Sequence, residues 1–181
     1  MNKLKDKIYS TERLTLIPIS IGDNEIIFNS LKENNIADTT ATPDYNNVEE
    51  VSEYINDIQK DNSKFIYKII YNNKFIGLGK IYLSEKEDVV GYWIIKETRG
   101  KGFAVEVAKK LLFIAFEQLN LELIEANYFD DNMASKHILM KCGFSNCRRS
   151  NDYQKPFGKL YKQYNLTISK DTYINTYKTN K

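Results

Sequence analysis

The spacing of apolar and polar positions changes along the chain, and each change marks an element. Residues 13–18 alternate apolar and polar side chains, the period of a half-buried strand. Asp23 stands where a cap opens a helix running to about Asn34, with Ile26, Ile27 and Leu31 on its buried side. Residues 37–47 read as loop, rich in Thr and interrupted by Pro43. Over 48–61, Val51, Tyr54, Ile55 and Ile58 recur at helical spacing. Strands are predicted at 63–71 and 74–83, joined by Asn72-Asn73, a pair suited to a tight hairpin. An acidic turn at 84–88 leads into a strongly apolar strand at 89–95.

Residues 103–119 predict a long helix. Ala104, Val107, Ala108, Leu111, Leu112, Ala115 and Leu119 form one stripe, and Glu106 precedes Lys110 by four residues, the favourable order for a surface pair. A strand at 123–129 follows, then a short helix at 132–141. Asp130, Asp131 or Asn132 caps that helix and Gly143 ends it. Strands are expected at 144–149 and 159–166, and 169–181 is a polar tail left unassigned. The crossover in 89–129 is long enough for parallel pairing, whereas the earlier strands are joined by hairpins. The fold class is therefore α/β in the α+β sense. It is a single mixed, mostly antiparallel, twisted sheet of about six to seven strands with helices on both faces. No repeat, low-complexity block or linker divides the chain, so 1–181 reads as one domain.

Composition narrows the classes. With 42% hydrophobic and 28% charged residues the chain is an ordinary globular sequence, and its 181 residues suffice for a full core. Thirteen Tyr against three Pro argue against disorder. A net charge of +2 gives no basic face for nucleic acid. No apolar run reaches the ~18–20 residues of a membrane span, and the first residues lack the apolar stretch of a signal peptide. A cytoplasmic location is the expectation, with Cys142 and Cys147 as reduced thiols.

Candidate chemistry concentrates in residues 91–104. The apolar Gly91-Tyr92-Trp93-Ile94-Ile95 runs into a polar turn, and Gly100 and Gly102 then open the long helix. A helix start presents unpartnered N–H groups and about half a positive charge, and glycines let an anion come close to the backbone. Arg99 and Lys101 add full charges. The arrangement predicts a phosphate site, hence a phosphorylated cofactor. Downstream, Asn132-x-x-Ser135 is followed by Gly143-Phe144.

Arg99-x-x-Gly102-x-Ala104, Gly91-Tyr92-Trp93 and the segment from Asn132 to Phe144 together resemble the GNAT family of acyl-CoA N-acetyltransferases. The resemblance is to its ribosomal-protein N-terminal acetyltransferase-like branch, whose opening strand looks like Thr11-Glu12-Arg13-Leu14. It is dense over 89–149 and thin elsewhere. It implies acetyl-CoA as co-substrate and an amine acceptor, either a protein N-terminus or a small molecule. The N–H groups of Gly100, Lys101, Gly102, Phe103 and Ala104 are implied to hold the pyrophosphate, with Arg99 beside them. The main chain of Trp93, Ile94 and Ile95 is implied to pair with the pantetheine arm, with a strand N–H near Ile94 on the thioester oxygen. Asn132 is implied to contact the pantetheine, and Ser135 to protonate the leaving thiolate. No metal is implied.

Two positions depart from the family. Leu139 stands where many members carry a Tyr, and Val89-Val90 replace a Glu that often precedes the Gly-Tyr of this strand. The general base is therefore unassigned, with Asp88 and Glu12 as stand-ins. At neutral pH roughly a tenth of an α-amine is unprotonated, against a few parts in ten thousand of a lysine amine. A site without a strong base is thus expected to prefer α-amines or other amines of low pKa.

Plainer readings stand beside these. The glycines make a tight turn, Trp93 belongs to the core, Asn132 caps a helix, and Ser135 and His137 lie on a helix surface. His137 and Cys142 are about 140° apart around a helix, poor geometry for a metal. Two other functions remain open. One is a dinucleotide-binding oxidoreductase, disfavoured by Val105 at the third-glycine position. The other is a non-catalytic acyl-CoA-binding module.

Overall fold

The structure is a computed structural model that describes residues 4–154 and 160–179. It opens with β1 (Tyr9–Ser10) and β2 (Thr15–Pro18), followed by a 3-10 turn (Ile21–Asp23). Three helices come next: α1 (Asn24–Glu33), α2 (Ile36–Thr39) and α3 (Val48–Lys60). β3 (Lys64–Tyr71) and β4 (Lys74–Tyr82) form a hairpin through Asn72 and Asn73, whose φ of 48° and 60° are the left-handed values such a turn requires. β5 (Val89–Ile94) passes through a 3-10 turn (Lys96–Thr98) into α4 (Phe103–Phe113), which continues as a π-helical turn (Ile114–Gln118). β6 (Leu123–Phe129), α5 (Met133–Lys141), β7 (Ser145–Arg149), β8 (Tyr153–Gln154), β9 (Leu160–Tyr161), β10 (Gln163–Ser169) and α6 (Lys170–Tyr177) complete the chain.

Eight strands form one sheet in the order β1-β2-β3-β4-β5-β6-β10-β7, and β8 pairs with β9 separately. Every neighbouring pair in the large sheet is antiparallel except β5 and β6, which are parallel. The mixed, mostly antiparallel sheet read from the sequence is borne out, with eight strands where six to seven were expected. On one face α1 and α3 bury Ile27, Val51, Ile55 and Ile58 against Ile66, Leu78 and Trp93. On the other, α4 buries Val107, Leu111 and Leu112 with Leu139 of α5 and Tyr173 of α6.

Several local expectations are corrected. Asp23 occupies the cap position of α1, but its carboxylate turns back to Ser20 N–H at 2.8 Å and pairs with Lys68 at 2.6 Å. Ile26 is 44% exposed, and Ile27, Ser30 and Leu31 make up the buried side. Within 37–47, the short α2 reaches in as far as Thr39. The span 159–166 divides between β9 and β10, which belong to different sheets, and Lys159 lies outside the described residues. Part of the tail is helical: Ser169 caps α6 through Thr172 N–H at 3.2 Å, Tyr173 lies against Phe116 with ring centroids 4.9 Å apart, and Tyr177 Oη donates to Cys142 O at 3.0 Å. No helix of the described residues is long and apolar enough to cross a membrane.

Gly77 sets how closely β4 and β5 approach. A Cβ there would lie 2.0 Å from Trp93 O, and φ is +154°. Gly77→Ala is expected to lower stability by about 1–3 kcal/mol, read as a reduced urea midpoint. An unchanged midpoint would mean that the strands separate freely at this point.

Candidate active site

β5 and β6 begin as neighbours and then diverge. Glu125 N–H donates to Asp88 O at 2.8 Å, and Val89 faces Glu125. Beyond that point β5 stays paired with β4 as far as Ile94, and β6 stays paired with β10 as far as Phe129. No further β5–β6 pair exists among the described residues. The gap opens into a cleft of about 660 Å³, lined by Val89 through Ile94 on one strand and Ala126 through Phe129 on the other.

Strand alternation decides which main-chain groups face this cleft. Ile95 N–H donates to Ile76 O at 2.9 Å, toward β4, and its C=O accepts from Thr98 N–H at 3.2 Å. By the two-residue period Trp93 faces β4 as well, whereas Tyr92 and Ile94 turn their N–H groups toward β6. Of Trp93, Ile94 and Ile95, only Ile94 therefore offers a main-chain group to the cleft, and Tyr92 joins it. The resemblance implies no main-chain role for Tyr92, so this contact is added by the strand geometry. The Trp93 indole packs in the core, 5.7 Å from Phe75 between ring centroids.

At the cleft's end lies the start of α4. Gly100 and Gly102 have φ of 77° and 81°. A Cβ at Gly100 would meet nothing within 4 Å, so the backbone angle selects glycine there and lack of room does not. Among the described residues, none accepts from the main-chain N–H of residues 100 to 104. The first helical bond is Glu106 N–H to Gly102 O at 3.1 Å. Those free donors, with the positive end of the helix behind them, suit a diphosphate. Arg99 folds back so that its Nε donates to Ile94 O at 2.9 Å. Gly100, Gly102, Phe103 and Ala104 line the cleft, and Lys101 is exposed beside it.

Arg13 clasps this loop, and local pattern gave no signal for it. Its Nη1 donates to Lys101 O at 3.0 Å, its guanidinium pairs with Glu106 at 2.6 Å, and it lies 4.5 Å above the Phe103 ring. The Glu106 carboxylate also accepts from Arg13 N–H and from the Thr11 hydroxyl. Its sequence-read partner Lys110 instead sits over Phe113. Burial pushes the Glu106 pKa up, but the Thr11 and Arg13 contacts outweigh it and hold the carboxyl below its usual range.

At the start of α5, Asn132 Oδ1 accepts from Ser135 N–H at 3.1 Å, which settles the three candidate caps on Asn132. Its Nδ2 donates to Thr39 O at 3.0 Å, tying α5 to the end of α2. Ser135 lines the cleft one turn on. The Tyr92 Oη is buried without a well-aligned hydrogen bond. Burial pushes this phenol well above its ordinary range, and the nearby Ser135 hydroxyl partly offsets that.

Neither stand-in base reaches the cleft. Glu12 is exposed, and the Asp88 carboxylate accepts from Ser84 N–H at 3.2 Å. Among the described residues no Asp, Glu or His lines the cleft, and the only ammonium or guanidinium groups lining it are Lys80 and Arg99. His137 is exposed on α5 and lies outside it. Cys142 is buried, which pushes its thiol up to about 11. Among the described residues no group of three or more His, Cys, Asp or Glu is placed to hold a metal ion.

The chain is similar to known proteins. The sequence profile of the acetyltransferase (GNAT) domain matches residues 13–145. An uncharacterized N-acetyltransferase, p20 of Bacillus licheniformis, is 27% identical over 171 residues, covering 90% of this chain and 96% of that protein. Among solved structures, spermidine N-acetyltransferase of Vibrio cholerae in complex with CoA and spermine is 24% identical with a TM-score of 0.78, covering 91% of this chain and all 100% of the other. The microcin C7 self-immunity acetyltransferase MccE in complex with acetyl-CoA and AMP is 22% identical with a TM-score of 0.72, covering 88% and 93%. The chain belongs to the GNAT acetyltransferase family. It is an acetyl-CoA-dependent transferase that acetylates an amine, so the expected family, activity and co-substrate are borne out.

Arg13→Ala is expected to loosen the α4 start and weaken acetyl-CoA binding roughly tenfold, about 1.4 kcal/mol, by calorimetry. Because the Glu106 carboxyl is held low, the clasp is fully present above the ordinary carboxylate pKa of ~4.3. It is lost as pH falls through the depressed folded value. Unchanged affinity in Arg13→Ala would show that the loop holds its shape without the clasp.

Proposed function

We propose that acetyl transfer proceeds by direct attack in a ternary complex, with the donor's diphosphate on the N–H groups of residues 100 to 104. The observation that carries this reading is that those donors have no protein acceptor and adjoin the parted strands. The pantetheine arm runs between β5 and β6 like an inserted strand, bonded to the main chain of Tyr92 and Ile94. Acetyl-CoA supplies an already activated thioester. The Ile94 N–H polarises the thioester oxygen, a contribution worth ~3 kcal/mol in such sites. Ser135 donates a proton to the departing sulfur and regains one from the attacking nitrogen, which sheds it as the amide forms. Asn132 shapes the wall, since its amide already joins Ser135 to Thr39. Arg99 steadies the strand end through Ile94 O.

The acceptor must arrive largely neutral, because no carboxylate or imidazole among the described residues lines the cleft to deprotonate it. That supports α-amines and small amines of low pKa over lysine side chains. The missing base also supports a second reading, an acyl-CoA-binding module without turnover. Leu139, buried where many relatives place a Tyr, points the same way.

A thiol-release assay over peptides and small amines separates the two. Release with α-amines is expected, with kcat/KM rising with pH until the acceptor's own pKa is passed. Tight acetyl-CoA binding without release from any amine would establish the module. Gly102→Glu is expected to abolish acetyl-CoA binding by bulk and charge, and unchanged affinity would overturn the diphosphate placement. Ser135→Ala is expected to lower kcat by roughly tenfold or more with little change in acetyl-CoA affinity. Equal turnover would remove the proton donor's role.

A further inference from the structure

Away from the α4 start, the cleft is bounded by residues 39 to 43 and by Tyr45, Tyr54, Lys80 and Tyr82. This is the half left to the acceptor once the donor lies along β5, so the following argument rests on the ternary-complex reading. Lys80 pairs in register with Gly91. A side chain at 91 would start 2.7 Å from Lys80 Cε, so glycine lets the lysine stem lie across β5. The Lys80 ammonium rests 5.0 Å from the centre of the Tyr82 ring. None of the described residues gives it a hydrogen bond or an ion pair. Burial lowers its pKa, and no acid offsets that effect. On the facing elements the groups are phenols: the Tyr54 and Tyr82 hydroxyls bond each other at 2.8 Å, and the Tyr45 ring lies 5.7 Å from that of Tyr54. Burial raises the pKa of all three, so they remain neutral.

A partly buried cation without a counter-charge is costly, and the Tyr82 ring relieves only part of that cost. A cationic acceptor would meet Lys80 with no carboxylate among the described residues of the cleft to receive its own charge. An acceptor bearing a carboxylate or phosphate would complete the pair. We infer that this enzyme acetylates an amine whose molecule also carries an anionic group, that Lys80 is the specificity-determining counter-charge, and that polycations are poor acceptors. The fold's likeness to a spermidine acetyltransferase therefore does not extend to its acceptor.

The test uses the full chain with saturating acetyl-CoA and matched acceptors. Amino acids are compared with their carboxamides, and ethanolamine phosphate with ethanolamine, so the two anionic chemistries are read separately. Spermidine is the polycation. The carboxamides carry the less basic amine, so amine pKa alone would favour them. At least a tenfold higher kcat/KM is expected for one anionic member over its neutral partner, with spermidine poorest. Lys80→Met is expected to erase that ratio through KM, and Lys80→Glu to invert it toward spermidine, both with KM for acetyl-CoA unchanged. Spermidine matching or exceeding every anionic amine would overturn the inference, as would a Lys80→Met variant slowed equally on all acceptors, the mark of a general base. If no amine is turned over, the catalytic reading fails separately. The melting temperature with CoA then decides: anionic amines must raise it further in the wild type and not in Lys80→Met.

Discussion

The site depends on two neighbouring strands that share a single register pair and then part. A sheet resists such an opening, because each backbone N–H and C=O along the edge needs a partner. Here each strand is held from its far side. β5 stays registered with β4 up to Ile94, at a contact so close that Gly77 has no room for a side chain, and β6 stays registered with β10 along its whole length. The vertex itself is clamped. The buried Glu125 carboxylate accepts from Asn165 and pairs with Arg148 at 2.5 Å, and Arg148 also reaches Glu87 at 2.7 Å. Burial raises the Glu125 pKa while Arg148 opposes it, so this clamp joins the strands and offers the cleft no base.

Once the strands part, the helix that follows β5 must start at the cleft's mouth. Two left-handed glycines turn the chain there. Left alone, such a loop would be mobile. Arg13, delivered from the turn between β1 and β2, holds it by bonding Lys101 O and pairing with Glu106. The first hairpin of the chain thus acts as a brace for the phosphate loop, a role its distance in sequence conceals.

What was readable in the sequence was local. The hairpin at Asn72-Asn73, the stripe of α4 and the glycine-rich start of that helix each declare themselves within one turn or one strand, and all lie where expected. Asn132 was readable both as a cap and as a cleft residue for the same reason. The rest needed distant partners. Two-residue β1 has no periodicity to detect, and α6 is polar enough to pass for a tail until Phe116 and Cys142 receive its tyrosines. Asp23 looks like a cap until Lys68 comes from β3 to claim it. Lys80 carries no signal of its own within the strand predicted at 74–83. Only its register with Gly91 turns it toward the cleft.

The charge pattern of the cleft gives the missing base a physical answer. The helix start and Arg99 make one end positive, Lys80 makes the other positive, and no acidic side chain of the described residues intervenes. A positive field favours the neutral form of an amine brought into it, because like charge disfavours protonation. The same field stabilises negative charge growing on the thioester oxygen and on the departing sulfur. In a site where a carboxylate base is replaced by a nearby cation, the acceptor's ammonium proton is lost to solvent on entering, and the second proton, shed as the amide forms, balances the one the sulfur takes up. Such a design works only if something else draws the acceptor in against that field, and an anionic group elsewhere on the acceptor, paired with Lys80, supplies that attraction while leaving the amine as the single uncharged partner.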